Sequence, residues 1–129
     1  MTLMMIISGQ ILTIDGPKDL KDVTKLDWVL SGTIPTRIID IQKTTVKTYK
    51  TFSTVPTLWV GKDTKMKTIH GLMNMKNKDE ADLTRPYTTD IHVAASIKKS
   101  DEELTGYIFK LANGSHTIVV ENCEVECDA

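Results

Sequence analysis

The 129-residue sequence is poor in arginine and cysteine. It has two Arg against 14 Lys, and Arg is the usual residue for bidentate recognition of phosphates and base edges, so its scarcity weighs against a dedicated site of that kind. The two cysteines, Cys123 and Cys127, are four residues apart. On a strand that spacing is too wide for an easy disulfide, and it is not a recognised zinc spacing. We expect free thiols in a reducing compartment.

The sequence also lacks long hydrophobic runs. The apolar run at residues 3–7 has no preceding basic residue and is followed by Ser8 and Gly9. A membrane span needs about 20 apolar residues, and a secretory signal needs a basic flank and a longer apolar region. We therefore predict a cytoplasmic or virion-associated protein that is not secreted by a signal peptide and has no membrane partner.

Catalytic motifs with a recognisable local spacing are missing as well. The sequence contains no GxSxG elbow, phosphate-binding loop or dinucleotide-binding glycine pattern. Its three histidines are scattered, and Asp90 and His92, which share a face of a predicted strand, are too few ligands to favour a metal. We predict that the protein is not an enzyme, with no catalytic, metal or cofactor-binding residues and no cofactor.

Threonine is the residue that the sequence has in abundance. Its 18 Thr favour pleated, half-buried surfaces, and the chain length fits one core. We predict a single β-rich domain over residues 1–129, mainly β, built as an antiparallel β-sandwich or a partly open barrel with one short helix. That helix is predicted at residues 18–30 from helical spacing of apolar residues, although alternation there leaves a strand open. The first strand is predicted at residues 4–14, with a bulge or a close backbone approach at Gly9.

A hairpin is predicted over residues 107–120. Two apolar strands flank Asn113 and Gly114, which tolerate the positive φ angles of a tight turn, and the strands would pair with each other across it. Residues 104–112 can also form a helix, because a capping-box pattern begins at Ser100. Poor helix formers in this region favour the strand, but the sequence leaves both open.

Charge is strongly segregated along the chain. Residues 37–78 carry a net charge of +7 and residues 79–129 carry −7. These charges can neutralise each other inside one fold, complement each other between copies, or serve different partners. The basic strands also carry aromatic residues, a mixture suited to an interface or to anion binding. The predicted basic interface comprises Lys43, Lys47, Tyr49, Lys50, Lys62, Lys65 and Lys67, and the acidic interface comprises Glu121, Glu124 and Glu126.

These observations together favour a non-enzymatic, self-assembling structural protein of the tail, neck or baseplate type found in virus and phage particles. The grounds are the β character, the small size, the charge segregation and the lack of catalytic motifs. Its partners would be further copies in a homo-oligomer, with nucleic acid or other virion proteins in addition. The alternative is a small accessory protein that binds nucleic acid, a nucleotide or an acidic protein partner through the basic strand surface.

Overall fold

A computed structural model of the chain describes residues 4–128. The predicted mainly β, antiparallel architecture is confirmed, because twelve strands and two three-residue 3-10 helices make up its regular structure. The strands are β1 (Ile6–Ser8), β2 (Gln10–Thr13), β3 (Gly16–Asp19), β4 (Trp28–Ser31), β5 (Ile34–Phe52), β6 (Val55–Val60), β7 (Met66–Thr68), β8 (Gly71–Met73), β9 (Glu80–Leu83), β10 (Ile91–Leu111), β11 (Thr117–Val120) and β12 (Cys123–Glu126). The 3-10 helices are Leu20–Asp22 and Ala112–Gly114.

Two long strands pair with each other and form the largest part of the sheet. β5 has 19 residues and β10 has 21, and they pair in antiparallel fashion along most of their length, with irregular register near Lys99 and Lys110. From this ribbon a circuit of antiparallel pairs runs through β10, β9, β7, β12, β11, β2 and β4 and returns to β5. A smaller circuit runs through β5, β6, β1 and β10. Of the two predicted arrangements, the closed circuits correspond to a barrel.

The core lies inside these circuits. Its fully buried members come from strands distant in sequence, including Ile11, Leu58, Val93 and Ile118, none of which exposes any surface. Burial of such aliphatic side chains stabilises the fold by about 1.5–3 kcal/mol each. Because Ile11, Leu58 and Ile118 lie in strands of four to six residues, these strands depend on pairing partners supplied by distant segments.

The helix predicted at residues 18–30 is wrong. The chain there forms the end of β3, one 3-10 turn and β4, with a tight turn between them. In that turn the Asp27 carboxylate accepts a hydrogen bond from the Thr24 backbone N–H at 2.8 Å, and the Asp27 N–H donates to the Thr24 carbonyl at 3.0 Å. These local hydrogen bonds compete with the backbone hydrogen bonds of a helix, and the alternating apolar pattern that follows them favours a strand.

The hairpin predicted over residues 107–120 is half right. Residues 104–112 are strand rather than helix up to Leu111, and Asn113 and Gly114 both have positive φ angles, of 59° and 67°. The strands on either side do not pair with each other, however. β10 pairs with β5, whereas β11 pairs with β12 and β2, so the turn separates two parts of the sheet.

The tight hairpin of this region lies one strand later. β11 and β12 are joined by Glu121 and Asn122, whose φ angles are 49° and 63°. Two consecutive positive φ angles are the signature of a type I′ turn, which matches the twist of the strands that it joins. Glu121 and Asn122 therefore form the turn of a hairpin. Within residues 4–128, no helix is long and apolar enough to cross a membrane.

Candidate functional site

The start of the first strand and the end of the last strand are hydrogen-bonded to the same loop. We call residues 61–65, between β6 and β7, the junction loop. The backbone of Met5, just before β1, is hydrogen-bonded to Thr64, and the backbone of Glu126, at the end of β12, is hydrogen-bonded to Lys65. Consecutive Cα atoms are about 3.8 Å apart, so the start of β1 and the end of β12 are held side by side.

The carbonyl oxygen of Met5 has two hydrogen-bond donors. The Gly61 backbone N–H donates to it at 3.0 Å and the Thr64 hydroxyl at 3.2 Å. The same hydroxyl accepts the N–H of Met5 at 2.9 Å. Thr64 is fully buried, so these bonds lie in a medium of low dielectric. Two donors aimed at one carbonyl oxygen would stabilise negative charge that develops on it, as an oxyanion hole does.

A buried lysine lies on the other side of the junction loop. The Lys50 ammonium donates to the Thr64 carbonyl at 2.8 Å, to the Asn74 side-chain oxygen at 3.1 Å and to the Met75 carbonyl at 3.0 Å. Its side chain is fully buried. Lys50 therefore connects β5 to the junction loop, which binds the start of β1 and the end of β12.

Glu126 binds the junction loop at the residue that follows Thr64. Its N–H donates to the Lys65 carbonyl at 2.9 Å, and one of its carboxylate oxygens accepts the Lys65 N–H at 3.2 Å. This pair of bonds extends the pairing of β12 with β7, in which Val125 faces Met66. The end of β12 is thereby fixed in register with the junction loop.

A cleft lies further along β1. It has a volume of about 720 Å³ and is lined by β1 and by side chains that include Lys21, Trp59 and Tyr107. On its wall the Thr57 hydroxyl donates to the Glu121 carboxylate, which the type I′ turn presents. A hydroxyl bonded to a carboxylate is a polar pair suited to binding a polar segment that enters the cleft.

The two cysteines are sealed in the interior. Both are buried, and the Cys127 thiol faces the Ser115 carbonyl at 3.7 Å. Burial raises the pKa of Cys123 to about 11, with Glu121 adding to the effect and Arg85 opposing it. Burial also raises the pKa of Cys127 to about 12, reinforced by Asp128 and Glu126. The reactive thiolate is therefore scarce at neutral pH while the domain is folded.

Thiol labelling should follow from this burial. Compared with usual thiols of pKa 9.0, the folded-state thiolate fraction is lower by about 10²-fold for Cys123 and about 10³-fold for Cys127. A disulfide-exchange reagent should accordingly label both cysteines at least about 10²-fold more slowly in buffer than in denaturant. Equal labelling rates in the two conditions would show that the thiols are accessible and would contradict their placement.

One of the residues predicted as a basic interface does not lie on the surface. Lys50 is interior, which removes it from any exposed patch. Lys43 lies over the Tyr107 ring at 5.5 Å, and Tyr49 stacks on Trp59 with ring centroids 4.3 Å apart. Lys47, Lys62, Lys65 and Lys67 are exposed. Whether the exposed ones bind an anion or a partner stays a prediction.

The acidic residues meet the basic segment within the same chain. Lys67 and Glu124 form a salt bridge at 3.5 Å, and the Glu126 carboxylate bonds the backbone of Lys65. Glu124 is buried and also accepts the Thr117 hydroxyl at 3.1 Å, whereas Glu121 bonds Thr57. Of the three arrangements left open by the sequence, neutralisation inside one fold is therefore the one observed for Glu124.

His92 lies outside this site, on the exposed pairing of β9 with β10. Its Nδ1 is 2.7 Å from Asp82 and its Nε2 is 2.9 Å from Glu80, so the imidazolium can donate to a carboxylate on each side. The bonds to Glu80 and then Asp82 raise the pKa of His92 above its usual 6.5. Asp90, its predicted neighbour, takes no part in these contacts.

A His92→Gln variant should reveal this pKa shift as a pH-dependent loss of stability. The raised pKa means that the folded state binds the proton more tightly, so the contribution of His92 is complete below the usual pKa of 6.5. It disappears as pH rises through the folded-state pKa. Denaturant midpoints of wild type and variant should differ most below the usual pKa of 6.5 and converge as pH rises through the raised folded-state pKa. A difference that grows with pH would contradict the assignment.

The sequence predicted Lys50, Lys65 and Glu126 only as interface residues, and it did not single out Met5, Gly61 or Thr64. Met5 lies about 60 residues before Gly61 and Thr64, and Glu126 lies about 60 residues after Lys65, so no local motif contains these residues. Lys50 did carry a signal, because it lies in the same alternating phase as the buried Phe52. A lysine in the inward phase of a strand indicates an interior cation with several acceptors.

Comparisons with solved structures give full-length matches. The gp41-1 intein is 19% identical with a TM-score of 0.71, covering 98% of this chain and 100% of that one. A bacterial intein-like domain from Clostridium thermocellum is 13% identical with a TM-score of 0.78, covering 99% and 100%. A DnaB intein from Synechocystis sp. PCC 6803 is 15% identical with a TM-score of 0.65, covering 97% and 99%. The chain has an intein-like fold. No protein-family model and no curated protein matches the sequence.

Inteins are protein-splicing domains, so these matches contradict the prediction of a non-enzymatic, self-assembling structural protein of virus or phage particles. They also contradict the prediction that the chain is not an enzyme, and they leave the alternative of an accessory nucleic-acid, nucleotide or acidic-partner binder without support. The basic and acidic segments behind those predictions meet within the chain at the salt bridge between Lys67 and Glu124. The homo-oligomer, the additional partners and the location stay predictions.

Proposed function

We propose that this chain is a self-processing domain of the protein-splicing type. The observation that carries the proposal is the junction loop, which binds Met5 through Thr64 and Glu126 through Lys65. A domain that joins its two flanking segments must bring them together, because bond formation requires the reacting groups to be in contact. The full-length likeness to inteins supports the same reaction class.

The peptide bond between Met5 and Ile6 is the one proposed to react. A nucleophile adds to the Met5 carbonyl carbon, and the electron pair that moves onto oxygen is met by the Gly61 N–H and the Thr64 hydroxyl. The C–N bond then breaks, and the Ile6 nitrogen leaves as an amine with the proton that the nucleophile has lost. Water as the nucleophile leaves a carboxylic acid at Met5.

Joining of the flanks needs a different nucleophile for the same step. A hydroxyl or thiol carried by the segment that follows β12 would take the Met5 acyl group as an ester or thioester, and the end of β12 lies beside Met5 at the junction loop. The buried thiols of Cys123 and Cys127 are poor candidates while the domain is folded, because their pKa values are raised by burial.

A fusion of the full 129-residue chain between two carrier proteins tests the proposal. The folded fusion should split with time into an amino-terminal carrier that ends at Met5 and a domain that begins at Ile6 and stays attached to the other carrier, as followed by electrophoresis. Transfer of the Met5 acyl group to the segment after β12 should instead give a branched ester or thioester. The control is the same fusion kept unfolded in denaturant, which should remain whole. If the folded fusion also remains whole over days and a range of pH, the proposal is wrong.

A further inference from the structure

Lys50 is an interior lysine whose hydrogen bonds are all used. Its side chain exposes no surface, and its ammonium contacts the Thr64 carbonyl, the Asn74 side-chain oxygen and the Met75 carbonyl at 2.8–3.1 Å. An ammonium group has three N–H donors, so the three acceptors match it one for one. Burying a charge is costly unless it is satisfied in this way, which indicates a specific task for the residue.

We propose that Lys50 is a positioning residue that fixes the junction loop, so that the start of β1 and the end of β12 stay in register for the reaction. Its functional part rests on the proposed self-processing activity. The positioning itself rests only on the contacts of the folded chain.

Two short paths of hydrogen bonds lead from Lys50 to the two ends. Lys50 binds the Thr64 carbonyl, and the Thr64 hydroxyl contacts both backbone polar groups of Met5. The next residue, Lys65, binds Glu126 through the backbone of both residues and the Glu126 carboxylate. A side chain without a donor at position 50 would leave two buried carbonyl acceptors and the part-buried Asn74 oxygen without the Lys50 donor, and would release this loop from β5.

The charge of Lys50 is itself sensitive to pH. Burial lowers the pKa of Lys50 to about 8, and three carboxylates that face it, on Asp63, Asp79 and Glu126, partly offset the effect. Above that pH the neutral amine has two N–H donors for three acceptors, so one of its three contacts is lost. The junction loop should therefore loosen as pH rises through about 8.

Global stability should respond in the opposite direction. The usual pKa of 10.5 applies to the unfolded chain, which therefore holds the proton more tightly than the folded chain does. Between the two pKa values the titration of Lys50 raises the free energy of unfolding as pH increases. As pH rises, the loop should loosen although the titration of Lys50 increases the free energy of unfolding. These opposite responses distinguish a positioning role from a general role in stability.

An NMR pH titration of the full chain tests the positioning directly. The backbone amide signals of Met5, Thr64 and Glu126 should shift together with a midpoint near about pH 8. The shift should persist in Lys47→Met, which removes an exposed lysine of the same strand, and vanish in Lys50→Met. Because the wild-type titration needs no substitution, it remains decisive even if Lys50→Met does not fold. Absence of a common midpoint in wild type would overturn the inference.

The two-carrier fusion supplies the functional readout. Lys50→Met should slow processing by about 10²-fold at about pH 7, since a small misplacement of reacting groups costs about that much. The rate ratio of wild type to variant should fall about tenfold between about pH 7 and about pH 9, as the charged fraction of Lys50 falls. A pH-independent ratio would overturn the functional part. If the NMR titration appears but no fusion is processed at any pH, the positioning stands and the proposed function fails.

Discussion

Replacing Thr64 by valine is expected to slow processing of the two-carrier fusion by about 10²–10³-fold, the usual cost of losing one oxyanion donor. Valine has nearly the shape of threonine but no hydroxyl. The Met5 carbonyl would keep only the Gly61 N–H, and the Met5 N–H would lose its acceptor. The measurement is the rate of disappearance of the fusion, compared between variant and wild type under identical conditions.

Thr68→Val is the matched control for this variant. Thr68 is also buried, and its hydroxyl likewise donates to a backbone carbonyl, of Gly71 at 2.9 Å, and accepts a backbone N–H, of His70 at 3.1 Å. The two variants should lose similar stability, but only Thr64→Val should lose activity. Equal loss of rate in both would assign the effect to general destabilisation and remove Thr64 from the reaction.

Replacing Gly9 by alanine is expected to destabilise the domain by roughly 2–6 kcal/mol. Gly9 has a φ of 136°, which is strained for any residue with a Cβ. An added Cβ would lie 2.7 Å from Cγ1 of the fully buried Val120 and 3.2 Å from Cγ of Glu121. Backbone strain of about 1–3 kcal/mol and overpacking of about 1–3 kcal/mol should therefore add.

Gly16→Ala separates the two causes. Gly16 has a φ of 109°, but a Cβ added there would meet no atom within 4 Å. This variant should show only the strain of about 1–3 kcal/mol, so the difference between the two free energies of unfolding measures the contact with Val120. Denaturant unfolding of both variants gives the numbers. If both lose the same amount, the close approach at Gly9 does not exist.

The β architecture could be predicted because its signals are local. Alternating apolar residues and abundant Thr predicted strands, and the break at Gly9 predicted the irregularity that now separates β1 from β2. Asn113 and Gly114 were predicted as a turn for the same reason, since a positive φ is a property of the residue itself. Each of these features depends on a few neighbouring residues.

Partner choice and the site could not be predicted, because both depend on distant segments. The sequence after Asn113 and Gly114 is equally suited to pairing with β10, but β11 instead pairs with β12 across the turn at Glu121 and with β2. The junction site joins Met5 to Thr64 and Lys65 to Glu126 across about 60 residues each, so no motif marks it. The charge segregation pointed to partners, whereas Lys67 and Glu124 meet in the same chain.

The masses of the fragments released from the wild-type fusion test the central claim most directly. The account predicts a fragment that begins at Ile6 and still carries the other carrier, and an amino-terminal carrier that ends at Met5 or is linked through the Met5 carbonyl to a side chain of the segment after β12. A fusion in which the bond between Met5 and Ile6 stays intact while its domain is folded would contradict the account. Cleavage at any bond other than the one between Met5 and Ile6 would also contradict the account. The two donors of the junction loop both bind the Met5 carbonyl, so this is the carbonyl that they would activate.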